Sequence, residues 1–439
     1  MDAMRIAPTT APDPTVFWSS RHSARSGGTT GLPDEADVVI VGAGLSGLST
    51  ARALQRAQPG AHVLVLDRAG VGAGASGRNA GMVVPLVGAP WLLPGALPGY
   101  EATWALDEVA RRFDRLHREL STLDAGIEPA DFYVGSPHSA LLPALRWLSA
   151  ACRERGLDVD ELDRIELAAR TGEHGVGAIR LDAWRIDPLR LCRVLAAEAA
   201  SLGVQIVEGA NVTAVIDQGD RADVLVDGHT IKAQRAVVAA GAWGRSSRLA
   251  ERTGKVYQTF MVASEPLTDE TIARLGGERA LVVGLRRGTP YRRVVDRRLL
   301  FGGLDRRVGN DRVVRPDVDR VDSDAIEALR CLARRSLPWL DPLPSLDVAW
   351  GGPIESRGPH ELPLVDWRPG SRRVVEVTGM SGSGVFWALQ MGDLVRSLLD
   401  GPSSDSTDTD RLRRCLAATR VPVGGVLRTG WAMLAHAAA

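Results

Sequence analysis

Three glycines, Gly42, Gly44 and Gly47, stand in a GxGxxG arrangement directly after the apolar run ADVVIVG. That spacing suits the approach of a phosphate to the main chain. The first glycine permits a tight turn, the second leaves the backbone open, and the third lets a helix lie close to a strand. The amides that open such a helix, around Leu45 and Ser46, have no partner within it, and the helix dipole adds to their attraction for an anion. Asp67 closes a second apolar run, AHVLVLD, and is followed by Arg68. Its carboxylate can accept both hydroxyls of an adenosine ribose. Together these residues predict a dinucleotide site, without separating a flavin dinucleotide from a nicotinamide one.

The elements around these residues have the order such a site needs. An apolar strand leads into a helix that runs to about Gln58, where Pro59 and Gly60 stop it, and a second strand starts at Ala61. Strand, helix, strand is the opening of a doubly wound α/β sheet. Further helices are expected near 100–120, 139–155, 188–203 and 323–338, with strands over 205–240 and 255–305. A last sheet strand, RRVVEVTG, turns through Gly and Ser into the helix VFWALQMGDLVRSLL, and the polar run GPSSDSTDTD separates it from a C-terminal helix or arm. Residues 1–35 read as a flexible arm rich in Pro, Ser, Thr and Gly, with Trp18 as a residue able to dock on the surface.

At 439 residues, two domains are expected. The 53 basic and 53 acidic groups balance, which argues against a nucleic-acid binder that works by neutralising phosphates. Cys152, Cys192, Cys331 and Cys415 share no local pairing, and the eight histidines are scattered, so neither disulfides nor a metal site is expected. The start, MDAMRIAPTTAPDP, lacks the order of a signal peptide. Three prolines interrupt the apolar stretch 81–97, and no transmembrane segment is expected. A cytoplasmic location fits these features.

Three separated segments carry a family resemblance. VLDRAGVGAGASGRNAGMV, with Ser76, Gly77, Arg78, Asn79, Ala80 and Gly81, resembles the flavin loop of the D-amino-acid oxidase-like superfamily. Within it, the glycine/sarcosine oxidase group is most similar, especially amine oxidases of the gamma-glutamylputrescine oxidase type. VVAAGAW at 237–243, which includes Gly241, resembles the middle strand and turn of the flavin domain. The segment 374–395, with Gly379, Met380, Ser381, Gly382, Ser383 and Gly384, resembles its closing motif. Val212, in the strand NVTAVID, is counted with the cofactor contacts.

The resemblance implies bound FAD and a Rossmann-like domain interleaved with an α+β substrate domain whose sheet is mixed or antiparallel. Residues 36–85, 151–254 and 346–400 would form the FAD domain, 86–150 and 255–345 the substrate domain, and 401–439 a linker and C-terminal helical arm. Non-covalent attachment is implied, because Asn79 stands where some relatives carry the attaching histidine and no cysteine lies between Cys331 and Cys415. The implied chemistry is oxidation of an amine C–N bond to an imine, hydrolysis of that imine, and reoxidation by molecular oxygen to give hydrogen peroxide. A dehydrogenase acting on an amine, amino acid or hydroxy acid with another electron acceptor is the alternative, and a flavin-containing binding protein a further one.

For the pocket, Tyr257 and Tyr291 are the candidates. Strand alternation predicts that at least one of Arg292 and Arg293 faces solvent. Lys255 corresponds to no mapped oxygen-activating lysine and is expected at the surface. In WGGPIESRGPHELPLVD, counting back from Pro363 puts Glu355 where glycine-oxidase relatives carry an arginine for the substrate carboxylate. That departure points to an amine or polyamine-like substrate held near Glu355, unless a shifted loop lets Arg357 replace the arginine.

Overall fold

The computed structural model describes residues 16–21, 31–84, 99–251, 254–284, 290–307, 321, 323–356, 363–382, 384–401 and 407–418. Ser383, Arg357 and residues 85–97 of the proline-interrupted stretch lie outside them.

The first strand, Glu35–Val41, is buried on both faces at Val39, Ile40 and Val41, as a central parallel strand must be. It pairs in parallel with Val63–Asp67 on one side and His229–Val238 on the other. Gln205–Glu208 extends the parallel array beyond the former, and Val374–Thr378 beyond the latter. Leu364–Trp367 adds an antiparallel edge, and the hairpin Val212–Asp217 with Ala222–Val226 branches from the long strand 229–238. The helix Leu45–Ala57 begins after Gly44 and ends at Gln58.

Helix Gly384–Asp400 packs on helix Leu45–Ala57 at very short range. A Cβ on Gly392 would lie 2.5 Å from the Ser49 carbonyl oxygen, so only glycine fits there. The Ser49 hydroxyl donates to the Leu389 carbonyl at 2.8 Å and accepts from the Gly392 amide at 3.2 Å. The polar run that precedes the last helix is partly structural. Helix Thr407–Ala418 places Asp408 and Asp410 in its first turn, and the buried Arg112 of helix Gly99–Leu120 donates to the Thr409 hydroxyl at 2.8 Å.

Among the described residues the second sheet has nine strands in a mixed arrangement. Along its length run 346–356, 255–266, 298–307, 291–295, 280–284, 128–136, 177–185 and 82–83, with 159–163 paired to 177–185. Among the described neighbouring pairs, only 280–284 and 128–136 run in parallel. The structure therefore has the two-sheet α/β architecture expected. The chain crosses between the sheets at different points from the expected domain limits, however. Strands 159–163 and 177–185 belong to the second sheet, although 151–254 was assigned to the FAD domain, and 346–356 belongs there as well. None of these three strands was among those expected from the sequence, and the composition of a strand does not say which sheet it joins.

Two further expectations are corrected. The N-terminal segment contains a helical turn, Phe17–Ser20, and Trp18 is 0% exposed rather than resting on the surface. Arg292 and Arg293 are both buried. The sheet is covered on both faces, so alternation there does not separate core from solvent. Arg292 pairs with Glu173 and donates to the Leu275 carbonyl, while Arg293 donates to three carbonyl oxygens described below. Among the described residues, no helix is long and apolar enough to cross a membrane.

Candidate active site

The glycine turn is built by contacts that leave no room for side chains. Gly42 has φ +112°, and a Cβ there would meet the Ala239 carbonyl oxygen at 2.6 Å. On Gly47 a Cβ would come within 1.9 Å of the Gly42 carbonyl oxygen, inside the turn itself. On Gly44 it would meet the Ser76 hydroxyl at 2.7 Å. That hydroxyl accepts the Leu45 amide at 3.0 Å, so the flavin loop touches the helix opening directly. Asp67 also organises the turn: one oxygen accepts the Ala43 amide at 2.8 Å, the other the Ala69 and Gly70 amides at 2.9 Å each. A carboxylate has about four acceptor directions, so one ribose hydroxyl can be added to these three amides.

Loop 76–81 follows a short turn at Ala75–Gly77. Asn79 braces it from within: its amide donates to the Ser76 carbonyl at 2.7 Å, and its carbonyl oxygen accepts the Gly81 amide at 2.8 Å. Arg78 donates through Nε to the Ala73 carbonyl at 3.0 Å and through Nη1 to the Gly351 carbonyl at 3.3 Å, joining the loop to the second sheet. Gly77 and Gly81 lie at close approaches, where a Cβ would meet the Gly72 and Ile186 carbonyl oxygens at 2.3 and 2.2 Å.

A cavity of about 700 Å³ extends from the glycine turn to the second sheet. Gly42, Gly44, Leu45, Ser46, Asp67 and Arg68 line its first part. Ser76, Arg78, Asn79 and Ala80 follow on the loop, with Val212 and Gly241 across from them. Met380, Ser381, Gly382 and Gly384 line it from the closing motif. Gly47, Gly77, Gly81 and Gly379 are not part of the wall. The first three pack behind it, and the Gly379 amide donates to Glu355 at 3.1 Å. Sequence reasoning missed Asn211, Trp243 and Thr259, which also line the cavity. Asn211 adjoins the recognised Val212, and Trp243 ends the segment 237–243 that carries Gly241. Thr259 has no sequence signal beyond lying two residues after Tyr257.

At the second sheet, Tyr291 lines the cavity and Tyr257 does not. The Tyr291 hydroxyl lies 3.2 Å from the Thr259 hydroxyl, which donates to the Gly303 carbonyl at 3.0 Å. Gly302 seats the Tyr291 ring, since a Cβ there would fall 2.3 Å from it. Met82, Val84, Phe132, Val134 and Val283 form an apolar wall. Glu355 lines the cavity too, but it is only 5% exposed, and its second oxygen accepts the Gly254 amide at 2.7 Å. Lys255 is exposed and outside the cavity. No cysteine or histidine is among the described lining residues. Cys192 lies beneath Gly72, and complete burial pushes its thiol pKa up, away from reactivity.

These contacts give two results to measure. Gly44→Val is expected to abolish detectable FAD occupancy, because the new side chain competes with Ser76 and with phosphate for one space. Asp67→Ala, which removes the acceptor of three amides and of a ribose hydroxyl, should weaken FAD by about 10- to 100-fold while leaving a folded chain. Flavin titration of apoprotein, with circular dichroism as the check on folding, reads both. Wild-type affinity in either variant would contradict this placement of the dinucleotide.

A cavity that opens at a GxGxxG turn and reaches from the first sheet to the second fits a dinucleotide-dependent oxidoreductase. A family model described as "FAD dependent oxidoreductase" (DAO) matches residues 37–398, and the chain belongs to that family. It is an FAD-dependent oxidoreductase. The chain is 26% identical to the probable oxidoreductase OrdL of Rhizobium meliloti (strain 1021) over 423 residues, covering 91% of this chain and 90% of that one. It is 23% identical to the glycine oxidase of Bacillus licheniformis over 370 residues, covering 83% and 93% respectively. The crystal structure of glycine oxidase from Geobacillus kaustophilus superposes with a TM-score of 0.67 at 20% identity, covering 85% of this chain and 96% of that one, and so shares its fold.

Proposed function

We propose that this enzyme oxidises the C–N bond of a small amine to an imine, which water hydrolyses to a carbonyl compound. The observation that carries the reading is the Tyr291–Thr259 pair at the far end of the FAD cavity. The Thr259 hydrogen is directed to the Gly303 carbonyl, so the Tyr291 hydroxyl donates to Thr259 and meets further partners as an acceptor. That polarity suits an amine N–H. The wall of Met82, Val84, Phe132, Val134 and Val283 would hold the apolar part of the substrate and keep bulk water away.

Bound FAD would accept a hydride, with its two electrons, from the carbon beside the nitrogen while the nitrogen loses a proton, and reoxidation of the two-electron-reduced flavin by oxygen would yield hydrogen peroxide. The chain's own part is positioning, with Tyr291 fixing the nitrogen and Gly302 fixing the Tyr291 ring. The cofactor is read as non-covalent, since Asn79 spends its side chain on the loop backbone. Flavin retained on the denatured polypeptide would contradict this. The residues of loop 76–81 support the narrower likeness to gamma-glutamylputrescine oxidases; a polyamine-like substrate depends instead on Glu355, whose two oxygens accept the Gly254 and Gly379 amides.

A dehydrogenase is the second reading, and one observation favours it. Both lysines of the chain, Lys232 and Lys255, are exposed and neither lines the cavity, so no lysine is placed to promote oxygen reactivity. Anaerobic mixing with a panel of amines, amino acids and hydroxy acids tests the substrate class. Amines are expected to bleach the flavin absorbance and yield a stoichiometric carbonyl product; bleaching by hydroxy acids alone would overturn the proposal. Admitting oxygen then separates the two readings, because slow reoxidation with fast dye turnover identifies a dehydrogenase.

A further inference from the structure

Four consecutive carbonyls of the flavin loop are held from outside the FAD sheet. The Arg78 carbonyl accepts the indole N–H of Trp350 at 2.9 Å, and the Asn79 carbonyl accepts that of Trp18 at 2.8 Å. Arg293 donates to the Ala80 and Gly81 carbonyls at 3.1 and 2.8 Å and to the neighbouring Ile186 carbonyl at 3.0 Å. Trp350 and Arg293 belong to the second sheet. Trp18 belongs to the four-residue helical turn Phe17–Ser20, which precedes the FAD domain in sequence.

The turn is fastened as a core element. Trp18 is 0% and Phe17 5% exposed, in an apolar cluster with Leu189, Met261 and Trp350. Phe17 stacks on Trp350 with ring centroids 6.3 Å apart, and the Arg293 guanidinium lies 5.7 Å from the Trp18 ring. Arg21 then pairs with Asp187 at 3.2 Å and with Asp296 at 2.8 Å, one from each side of the junction between the sheets. A half-buried loop carbonyl beside an empty indole site would lose its donor, at a cost that favours another loop conformation.

The geometry points to a cofactor clasp: the helical turn Phe17–Ser20, through Trp18, holds loop 76–81 in its FAD-binding form, so that docking of this turn and binding of FAD are coupled. Trp18 is a positioning residue. It does not line the cavity and acts through the Asn79 carbonyl. Coupling of this kind is reciprocal: whatever affinity the docked turn adds for FAD, FAD adds to the docking of the turn.

The test is independent of substrate and turnover, so it stands even if the amine chemistry fails. Trp18→Phe keeps an aromatic ring in the cluster and removes the N–H; it is expected to raise the FAD dissociation constant about fivefold, the effect of one hydrogen bond. Trp18→Ala should raise it by tenfold or more. If Trp18→Ala does not fold, Trp18→Phe and hydrogen exchange on the wild type carry the test. Adding FAD to wild-type apoprotein is expected to slow exchange at residues 17–21 together with loop 76–81. A turn that merely adds stability would lower the melting temperatures of apo and holo protein equally and leave the FAD constant unchanged. That result, or FAD binding without protection of residues 17–21, would overturn the proposal.

Discussion

Gly47→Ala is expected to yield no folded enzyme. The added methyl would sit 1.9 Å from the Gly42 carbonyl oxygen, and both partners are backbone within one turn, so neither can rotate away. Relief requires opening the junction between the first strand and the helix Leu45–Ala57, which lies at the centre of the parallel sheet. A loss above about 4 kcal/mol belongs to this kind of buried backbone conflict. Soluble expression and thermal melting measure it, and a variant that melts near the wild type would mean that the turn has another shape. The contrast with Gly44→Val is informative, because the nearest obstacle at Gly44 is the Ser76 side chain rather than main chain. One glycine of the motif protects the fold and the other protects the ligand space.

Glu355→Gln is expected to lower FAD affinity and stability together, by about 1–3 kcal/mol in stability, without sorting substrates by charge. The carboxylate accepts one amide on each oxygen, from Gly254 and from Gly379. An amide side chain can accept only one of these bonds and turns an N–H toward the other donor. Gly379 opens the closing motif, so its displacement reaches Met380 and Ser381 on the cavity wall. The measurement is the Michaelis constant for cationic, neutral and carboxylate-bearing amines, alongside flavin titration. Equal changes across the three support a positioning carboxylate. A rise confined to cationic amines would return Glu355 to direct contact with substrate, the role its place in the sequence suggests.

The parts of the site that were legible in the sequence are those where one local constraint fixes the residue. Gly42, Gly44 and Gly47 answer to the geometry of a single turn, and Asp67 to the end of the adjoining strand. The parts that were not legible depend on which distant surface covers a strand. Arg292 and Arg293 occupy successive positions of Tyr291–Val295, yet helices and loops on both faces bury them both. Tyr257 and Tyr291 look equivalent in sequence, but only Tyr291 is seated over Gly302 and faces the cavity. Trp18 was expected to dock on the surface, but its full burial and its partner were not foreseen. Its partner is 61 residues away, and the reason for its burial lies in a loop carbonyl that no side-chain pattern records.

The contact between helix Leu45–Ala57 and helix Gly384–Asp400 bears on how the protein is made. Ser49 and Leu389 are separated by 340 residues, and the first helix emerges from the ribosome long before the second exists. Until then its Ser49 and Ala53 side, against which Gly392 packs, lacks its native cover, and contacts of such separation form slowly. The dinucleotide turn is thus translated early and completed late. Nascent chains halted before residue 384 should bind holding chaperones and take up no flavin, so that synthesis of nearly the whole family-matched region precedes cofactor capture.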